Sequence, residues 1–365
     1  RDEVNMKKNS MNVSPRYFIF LAAYLIDQFA FAADGVQSKI NAAASFYLEN
    51  HTLPTSKRGQ IDLDLNEFRF KLELPIQSNI SLTIQPEISR SNKDLAGSKT
   101  NDQQIRFRSA TLNRKLAETD FDFSFGLLAS DSKEQIFQQS QNRRWLHPQL
   151  RPMAERYRLI SESDLGMRAS YETTGLSLNV SYINGEGQGP EAGTRKAFQV
   201  GAEWNQTPYF QAKAFYYNGA DETYIAEIAK IEVYGLTLRS DVEFFSLAGS
   251  YLQTVHPADR LTVMKAWSGI DLLAFANQSV KGSAAEIDLS VELGRVLPFI
   301  KMTDNKPINT DSGYSFRQQF YGIAYDLGPN ENLGLFAYRL QFNEKHSLQS
   351  KEHDGFGISY GLFLE

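Results

Sequence analysis

The stretch LSLNVSYINGEGQGPEAG, residues Leu176 to Gly193, alternates strictly and then stops doing so. Apolar residues occupy every second position of its first half, with small polar residues between them: Leu176, Leu178, Val180 and Tyr182 against Ser177, Asn179 and Ser181. A polar, glycine-rich run begins at Asn184. Because successive side chains of a β-strand point to opposite faces, this pattern predicts a strand with one apolar and one polar face, followed by a long loop.

The same period of two recurs along most of the chain. The clearest further instances are NISLTIQPEI (79–88), FDFSFGLL (121–128), DLGMRASYE (164–172), AFQVGAEW (197–204), AAEIDLSVEL (284–293) and GFGISYGLFL (355–364). Short connections such as 173–175 and 205–208 alternate with long polar ones such as 130–162 and 184–194. Short turns at one end and long loops at the other are typical of a membrane β-barrel, whereas a soluble sandwich has mixed loops at both ends.

We therefore predict an all-β fold, a transmembrane antiparallel up-and-down β-barrel of about 16 strands, or about 18 if the apolar segment 266–276 belongs to a further pair. After residue 33 no apolar run is long enough for a helix that crosses a bilayer. Strand backbone groups in lipid must all be hydrogen-bonded, which requires a closed sheet. In the predicted strand 61–75, apolar residues occupy odd positions up to Leu65 and even positions from Phe68. A β-bulge between these two residues would place both sets on the same face of the sheet.

Aromatic residues gather near the ends of the predicted strands. Trp204, Tyr209 and Phe210 flank a short connection, and Tyr182, Tyr216 and Tyr217 precede long ones. Rings at both ends fit two girdles at the membrane interfaces. The alternative is that these rings fill a protein core.

Composition excludes several classes of function. The chain has 365 residues, is 42% hydrophobic and has a formal net charge of -5, which argues against nucleic acid as a partner. Its mean hydropathy of -0.40 is that of an ordinary soluble protein, but hydropathy misses the signal of barrel strands. It contains no cysteine, which excludes disulfides, thiol chemistry and metal sites held by cysteine.

The first 32 residues have the pattern of a secretory signal peptide. A basic head at Met6 to Lys8 is followed by the apolar run YFIFLAAYLI (17–26) and by Ala30-Phe31-Ala32. We expect cleavage after Ala32, with residues 1–5 as a possible start-site extension and 33–365 as an exported barrel in the outer membrane. A buried helix of a cytosolic domain is the alternative interpretation of residues 1–32.

A barrel of this size encloses a water-filled lumen, and the long loop 130–162 is the candidate to fold into or over it and narrow it. This loop holds more basic than acidic residues, and further basic residues lie on nearby predicted strands. Rings of basic side chains favour anions. The candidate selectivity residues are Arg143, Arg144, Arg151, Arg156, Arg158, Arg106, Arg108, Arg69, Lys71 and Arg168. The alternative is a solvated outer loop whose arginines bind lipopolysaccharide phosphates or no ligand.

Three stretches resemble the phosphate-selective-type porins of Gram-negative outer membranes. They are IRFRSATLNRKLAETDFDFSFGLLAS (105–130), VSYINGEGQG (180–189) and GRVLPFIKM (294–302). The resemblance implies a 16-stranded, substrate-selective channel that is usually a homotrimer.

Other chemistry finds little support in the sequence. All five histidines fall in predicted loops, so no Ser–His pair is expected on one strand face, and we predict no enzyme, no cofactor and no metal site. The leading hypothesis is a porin for passive diffusion of small hydrophilic solutes or ions, with a weak preference for anions. The expected partners are outer-membrane lipid, lipopolysaccharide and such solutes. The alternatives are a plugged structural or adhesive barrel without conductance, and a secreted soluble β-sandwich that binds a ligand.

Overall fold

The computed structural model describes 39–52, 61–90, 103–129, 145–147, 150, 153, 163–184, 196–207, 209–220, 230–257, 279–306, 315–328, 330–343 and 352–364. The predicted signal peptide and segment 266–276 lie outside these residues, so the signal peptide stays a prediction. Within the described ranges, no helix has the length and apolar character needed to cross a membrane.

The described chain forms sixteen strands. They are β1 (Lys39–His51), β2 (Ile61–Gln77), β3 (Ile80–Arg90), β4 (Gln103–Lys115), β5 (Phe121–Ala129), β6 (Ser163–Thr173), β7 (Leu176–Ile183), β8 (Ala197–Thr207), β9 (Phe210–Ala220), β10 (Lys230–Val242), β11 (Phe245–Pro257), β12 (Ser279–Val291), β13 (Val296–Lys306), β14 (Phe316–Gly328), β15 (Glu331–Phe342) and β16 (Glu352–Leu364).

Each strand pairs antiparallel with its neighbours in sequence, and β1 pairs with β16 from Ala42↔Leu364 to His51↔Gly355. The sheet is therefore closed, as backbone hydrogen bonding in lipid requires. The prediction of an up-and-down barrel with 16 strands is confirmed. Because β11 and β12 pair directly from Phe245↔Val291 to Pro257↔Ser279, the closed sheet has no place for a further strand pair between them.

The outer face is the apolar face. On β7, Leu178, Val180 and Tyr182 are exposed, whereas Asn179 and Ser181 are buried on the inner side. Exposed apolar side chains recur at alternate positions on the other strands, as in Leu236 and Leu238 of β10. A continuous apolar outer surface of this kind is that of a barrel in contact with lipid.

Short connections lie at one end of the barrel and long ones at the other. Turns such as 174–175 and 243–244 join strands at the first end, and Gly175 takes a φ of 81° that L-residues rarely adopt. Trp204, Tyr209 and Phe210 are exposed at that end, which fits the predicted girdle. Tyr217 does not fit the second girdle, because its side chain is 1% exposed and faces inward beside Gln199.

The predicted bulge is present in β2. Ser45 of β1 pairs with Glu67 and Phe46 pairs with Leu65, so Asn66 is the extra residue. Tyr47 lies opposite Asp64 and Ser45 lies opposite Glu67, although two positions separate the β1 residues and three separate the β2 residues. The bulge therefore reconciles the parity on its two sides.

Candidate functional site: the lumen and its inward segment

The inner wall carries paired charges on several strands. Four cation–carboxylate pairs lie between side chains that face the lumen: Arg108–Glu87 at 3.4 Å, Lys213–Glu203 at 2.9 Å, Arg239–Asp241 at 2.8 Å and Lys301–Glu286 at 2.9 Å. Within each pair the charges largely compensate one another. These four pairs therefore add little net positive potential to the lumen.

Four of the ten predicted selectivity residues have described side chains, namely Arg69, Lys71, Arg108 and Arg168, and of Arg106 only the backbone is described. Arg69 and Lys71 face the lumen from β2, and Lys71 Nζ lies 3.5 Å from Glu73 Oε1. Arg108 is buried against Glu87, and Arg106 lies opposite Glu87 in the β3–β4 register. Arg143, Arg144, Arg151, Arg156 and Arg158 lie outside the described residues.

Arg168 holds the base of the long loop. From β6, its Nε donates to Ser181 Oγ at 2.9 Å and its Nη2 donates to the carbonyl oxygen of Ala129 at 2.6 Å. Ala129 is the last residue of β5, where the loop departs. The guanidinium that the sequence suggests as a selectivity residue is therefore engaged in fixing the start of residues 130–162.

A segment of this loop lies inside the barrel. Trp145, Leu146, His147, Leu150 and Met153 are all buried, and the four apolar ones belong to the same cluster as inward residues of the wall. We call residues 145–147 and 150 the inward segment. The structure thus places part of the loop 130–162 in the lumen rather than over it.

Three side chains from three strands hold the inward segment in place. Ser359 Oγ of β16 donates to the Leu146 carbonyl at 2.7 Å, and Lys301 Nζ of β13 donates to the Leu150 carbonyl at 3.2 Å. His147 Nε2 lies 3.4 Å from Glu49 Oε2 of β1. Within the segment, Leu150 N–H donates to the His147 carbonyl at 2.9 Å. Buried polar groups of the loop thus receive partners from the wall, as burial requires.

His147 sits among aromatic rings of the wall. Its ring centroid lies 4.9 Å from that of Tyr47, 5.0 Å from Phe336, 5.4 Å from Phe320 and 5.7 Å from Tyr338. The Tyr338 hydroxyl donates to Glu49 Oε1, so this one carboxylate contacts both the wall tyrosine and the loop histidine. The arrangement is a docking site for the loop, with rings at distances typical of favourable aromatic pairs.

Glycines on β15 and β16 make room for the inward segment. A Cβ at Gly334 would overlap with Leu146 Cδ2, and a Cβ at Gly361 would lie 3.0 Å from Trp145 Cε3. Inward positions of β16 are occupied by Gly355, Gly357, Ser359 and Gly361. Gly334 and Gly361 therefore allow close approach of the loop, whereas a Cβ at Gly355 or Gly357 would meet the wall rings of Tyr338 and Phe336.

The apolar part of the inner wall is not predicted by the alternation pattern. The pattern predicts bulky apolar residues on the lipid face, yet Phe320, Phe336 and Tyr338 face inward and are buried. In LGLFAYRLQF (333–342), apolar residues occupy both odd and even positions, so this strand lacks the alternation seen elsewhere. A strand that is apolar on both faces is buried on both faces, here by lipid outside and by the loop inside.

The placement of the histidines in loops was partly wrong. His51, His256 and His353 lie in β1, β11 and β16, and His353 is buried beside Phe342, with ring centroids 5.7 Å apart. Across the part of the chain that the structure describes, no group of three or more His, Asp or Glu residues could hold a metal ion.

The fold has relatives among solved structures. An anion-selective porin from Comamonas acidovorans is 10% identical and superposes with a TM-score of 0.64, over 90% of this chain and 100% of the other. OmpF of Salmonella typhi, in complex with daunomycin, is 13% identical with a TM-score of 0.60, over 91% and 98%. OmpT of Vibrio cholerae in a trimer form is 9% identical with a TM-score of 0.57, over 91% and 100%.

No protein-family model and no curated protein sequence matches the chain. At identities this low the structural likeness concerns the fold alone. The chain has the fold of outer-membrane porins, a closed transmembrane barrel of sixteen antiparallel strands.

Proposed function

We propose that this protein is an outer-membrane porin through which small hydrophilic solutes diffuse passively, without catalysis or a cofactor. The observation that carries the proposal is the division of a closed sixteen-strand barrel into an apolar outer face and an inner face with charged pairs, narrowed by the inward segment. Sixteen strands enclose a lumen wide enough for water, whereas about eight are filled by their own side chains.

Delivery to the outer membrane would use the predicted signal peptide of residues 1–32. Support comes from the apolar outer face and from the outer-membrane proteins that share the fold. Membership of the phosphate-selective type rests on the sequence resemblance. Assembly as a homotrimer and contact with lipopolysaccharide belong to the same proposal, and one relative of the fold is a trimer.

The preference for anions rests on the arginines of 130–162 rather than on the wall. The wall cations Arg108, Lys213, Arg239 and Lys301 each have a carboxylate partner. A net positive field at the narrowest point would therefore come from Arg143, Arg144 and their neighbours in the loop, if these face the passage.

Reversal potentials in a planar bilayer test this proposal. Folded wild-type protein should give stable conductance steps and a reversal potential, in a salt gradient, of the sign for anion preference. The double variant Arg143→Ala with Arg144→Ala should shift it toward cations. Lys230→Ala is a matched control, since Lys230 lies on the outer side of β10, paired with Glu232. An unchanged potential in the double variant would place the two arginines away from the passage.

A plugged barrel without conductance is the second candidate. It is favoured by the number of buried apolar residues on the inner face, such as Phe316, Leu340 and Val233. This candidate predicts a folded, heat-modifiable barrel that gives no steps under the same conditions. The bilayer recording therefore separates the two functions directly.

A further inference from the structure

One part of the inner wall carries uncharged hydrogen-bonding side chains in place of ion pairs or aromatic rings. It lies on β3–β7, towards the end of the barrel with the short connections. Asn113 lies opposite Ser124, Ser170 lies opposite Asn179, and Asn113 Nδ2 donates to Thr83 Oγ1 at 2.9 Å. We call the following residues the polar wall: Thr83, Asn113, Ser124, Ser170, Ser177 and Asn179.

The polar wall faces the lumen. Phe125 and Leu178, which follow two of its members along the strands, are exposed on the outer face. Since successive side chains of a strand point to opposite faces, the residues before them point inward. The side chains of Ser124, Ser170 and Ser177 are partly exposed. A solute in the lumen can therefore reach their hydroxyl groups.

The inward segment lies on the other side of the closed sheet. It contacts side chains or glycines of β1, β13, β15 and β16. In a ring of sixteen strands, β5 is eight strands from β13, and β7 is eight strands from β15. Because the segment covers the wall that it contacts, the space left beside it runs along the polar wall.

The polar wall offers hydrogen bonds without a net charge. Side chains of serine, threonine and asparagine both donate and accept. Arg168, which lies opposite Ser124, is engaged with Ser181 Oγ and the Ala129 carbonyl. Selection of ions uses rings of charged side chains. An uncharged wall of donors and acceptors instead suits a neutral solute that carries several hydroxyl groups.

Asn179 has an oxygen that such a solute can satisfy. Its side chain is 8% exposed, and among the described residues its Oδ1 has no hydrogen-bond partner. A buried polar atom without a partner is unfavourable, and a bound hydroxyl group relieves that cost. Ser170 lies directly opposite, and Ser177 lies two positions earlier on the same strand. The three side chains thus form one group of donors and acceptors.

An aromatic ring lies near this group. Gly201 is opposite Asn179, and Phe215 is opposite Gly201, so Phe215 lies two strands, or about 10 Å, from Asn179. The Phe215 ring lies over Gly235, where an added Cβ would overlap with it, and the ring is partly exposed. Binding sites for small molecules combine aromatic surface with a few placed polar groups. A sugar offers both matching surfaces, because it has hydroxyl groups at its edge and C–H groups on its faces.

We propose that the polar wall, together with Phe215, binds a neutral oligosaccharide inside the lumen. The inference rests on the proposed function, since it names the class of solute that the porin carries. Binding at the wall is nevertheless measurable without transport. A barrel that binds the sugar and does not conduct therefore separates the two proposals.

Saturation-transfer difference NMR with maltotriose tests the proposal on the folded barrel, in a detergent without a sugar headgroup. Wild type should bind maltotriose saturably, and triethylene glycol, which has few hydroxyl groups, should give no saturable signal. Asn179→Ala should weaken maltotriose binding by about two- to tenfold, the effect of one lost hydrogen bond. Ser290→Ala is the matched control, because Ser290 is buried on the inner side of β12, opposite Phe299, and it should leave the affinity unchanged.

A second variant keeps the proposal testable if Asn179→Ala does not fold. Ser170→Ala with Ser177→Ala removes two oxygen atoms from the same group and should weaken binding at least as much. Folded wild type without a saturable maltotriose signal, or equal affinities of Asn179→Ala and Ser290→Ala, would overturn the proposal. Saturable binding by a barrel that gives no conductance steps would support it and would contradict the proposed function alone.

Discussion

Glu49 joins the loop to the wall through two partners at once. Its carboxylate accepts from the Tyr338 hydroxyl and lies 3.4 Å from His147 Nε2, and both Glu49 and His147 are buried. Removing an acceptor at a buried site leaves its donors without a partner, which costs more than the hydrogen bond itself contributed.

We predict that Glu49→Ala lowers the free energy of unfolding by about 1–3 kcal/mol, because the Tyr338 hydroxyl and the His147 ring lose a buried acceptor. Glu49→Gln keeps an acceptor oxygen in a side chain of similar size, so it should lower the free energy of unfolding less than Glu49→Ala does. Urea unfolding in lipid vesicles, followed by gel mobility, measures both. An alanine variant as stable as wild type would contradict the assigned role of Glu49.

At the residue scale, sequence reasoning identified charges but not their partners. The sequence predicts Arg168 as a basic lumen residue, yet its contact with the Ala129 carbonyl follows from strand register and cannot be predicted from residue type. His147 is 98 residues from Glu49, and only the closed sheet brings β1 beside the loop. Local patterns carry no information on such pairs.

Strand β2 shows what the alternation pattern does predict at the element scale. Its parity change indicated a bulge between Leu65 and Phe68, and Asn66 is the extra residue. Strands β14 and β15 show the limit of the same argument, because apolar side chains on both faces leave no alternation from which to assign a face.

Deletion of Asn66 should be tolerated, since Leu65 and Glu67 then alternate regularly against Phe46 and Ser45. Deletion of Phe70, in the regular part of the same strand, should instead reverse the faces of the residues on one side of the deletion. The fraction of heat-modifiable barrel after refolding measures both. Equal refolding of the two variants would contradict the assignment of the bulge to Asn66.

At the scale of single strands, Gly334 of β15 leaves the space into which Leu146 of the loop packs. Gly334→Ala should destabilise the barrel by about 1–3 kcal/mol, because its Cβ overlaps with Leu146 and overpacking displaces the loop. Gly249→Ala is the matched control, since nothing lies within 4 Å of its Cβ. If the two variants have the same unfolding midpoint, the loop does not dock against β15.

For the whole molecule, the proposed function depends on the separation of an apolar outer face from an inner face that carries charged and polar side chains. Leu236 of β10 faces outward and Ser250 of β11 faces inward, opposite Glu286. Leu236 therefore meets lipid and Ser250 meets the polar lumen, although both lie near the middle of their strands.

Leu236→Lys should therefore cost about 2–4 kcal/mol of folding free energy in a bilayer, because a charge enters the lipid face. Ser250→Lys places the same charge beside Glu286 and should cost less. Refolding into vesicles over a urea series compares the two. If Ser250→Lys lost more folding free energy than Leu236→Lys, the assignment of the outer and inner faces would be wrong.

We expect water and small ions to pass through the closed barrel, in a lumen narrowed by the inward segment. Single-channel recording of folded wild type, beside a variant in which a Gly-Ser sequence replaces residues 145–153, tests this expectation. We predict stable steps for wild type and larger steps for the variant, because the replacement removes the buried side chains from the lumen. Folded wild-type protein without any steps, or equal step sizes in the two proteins, would contradict it.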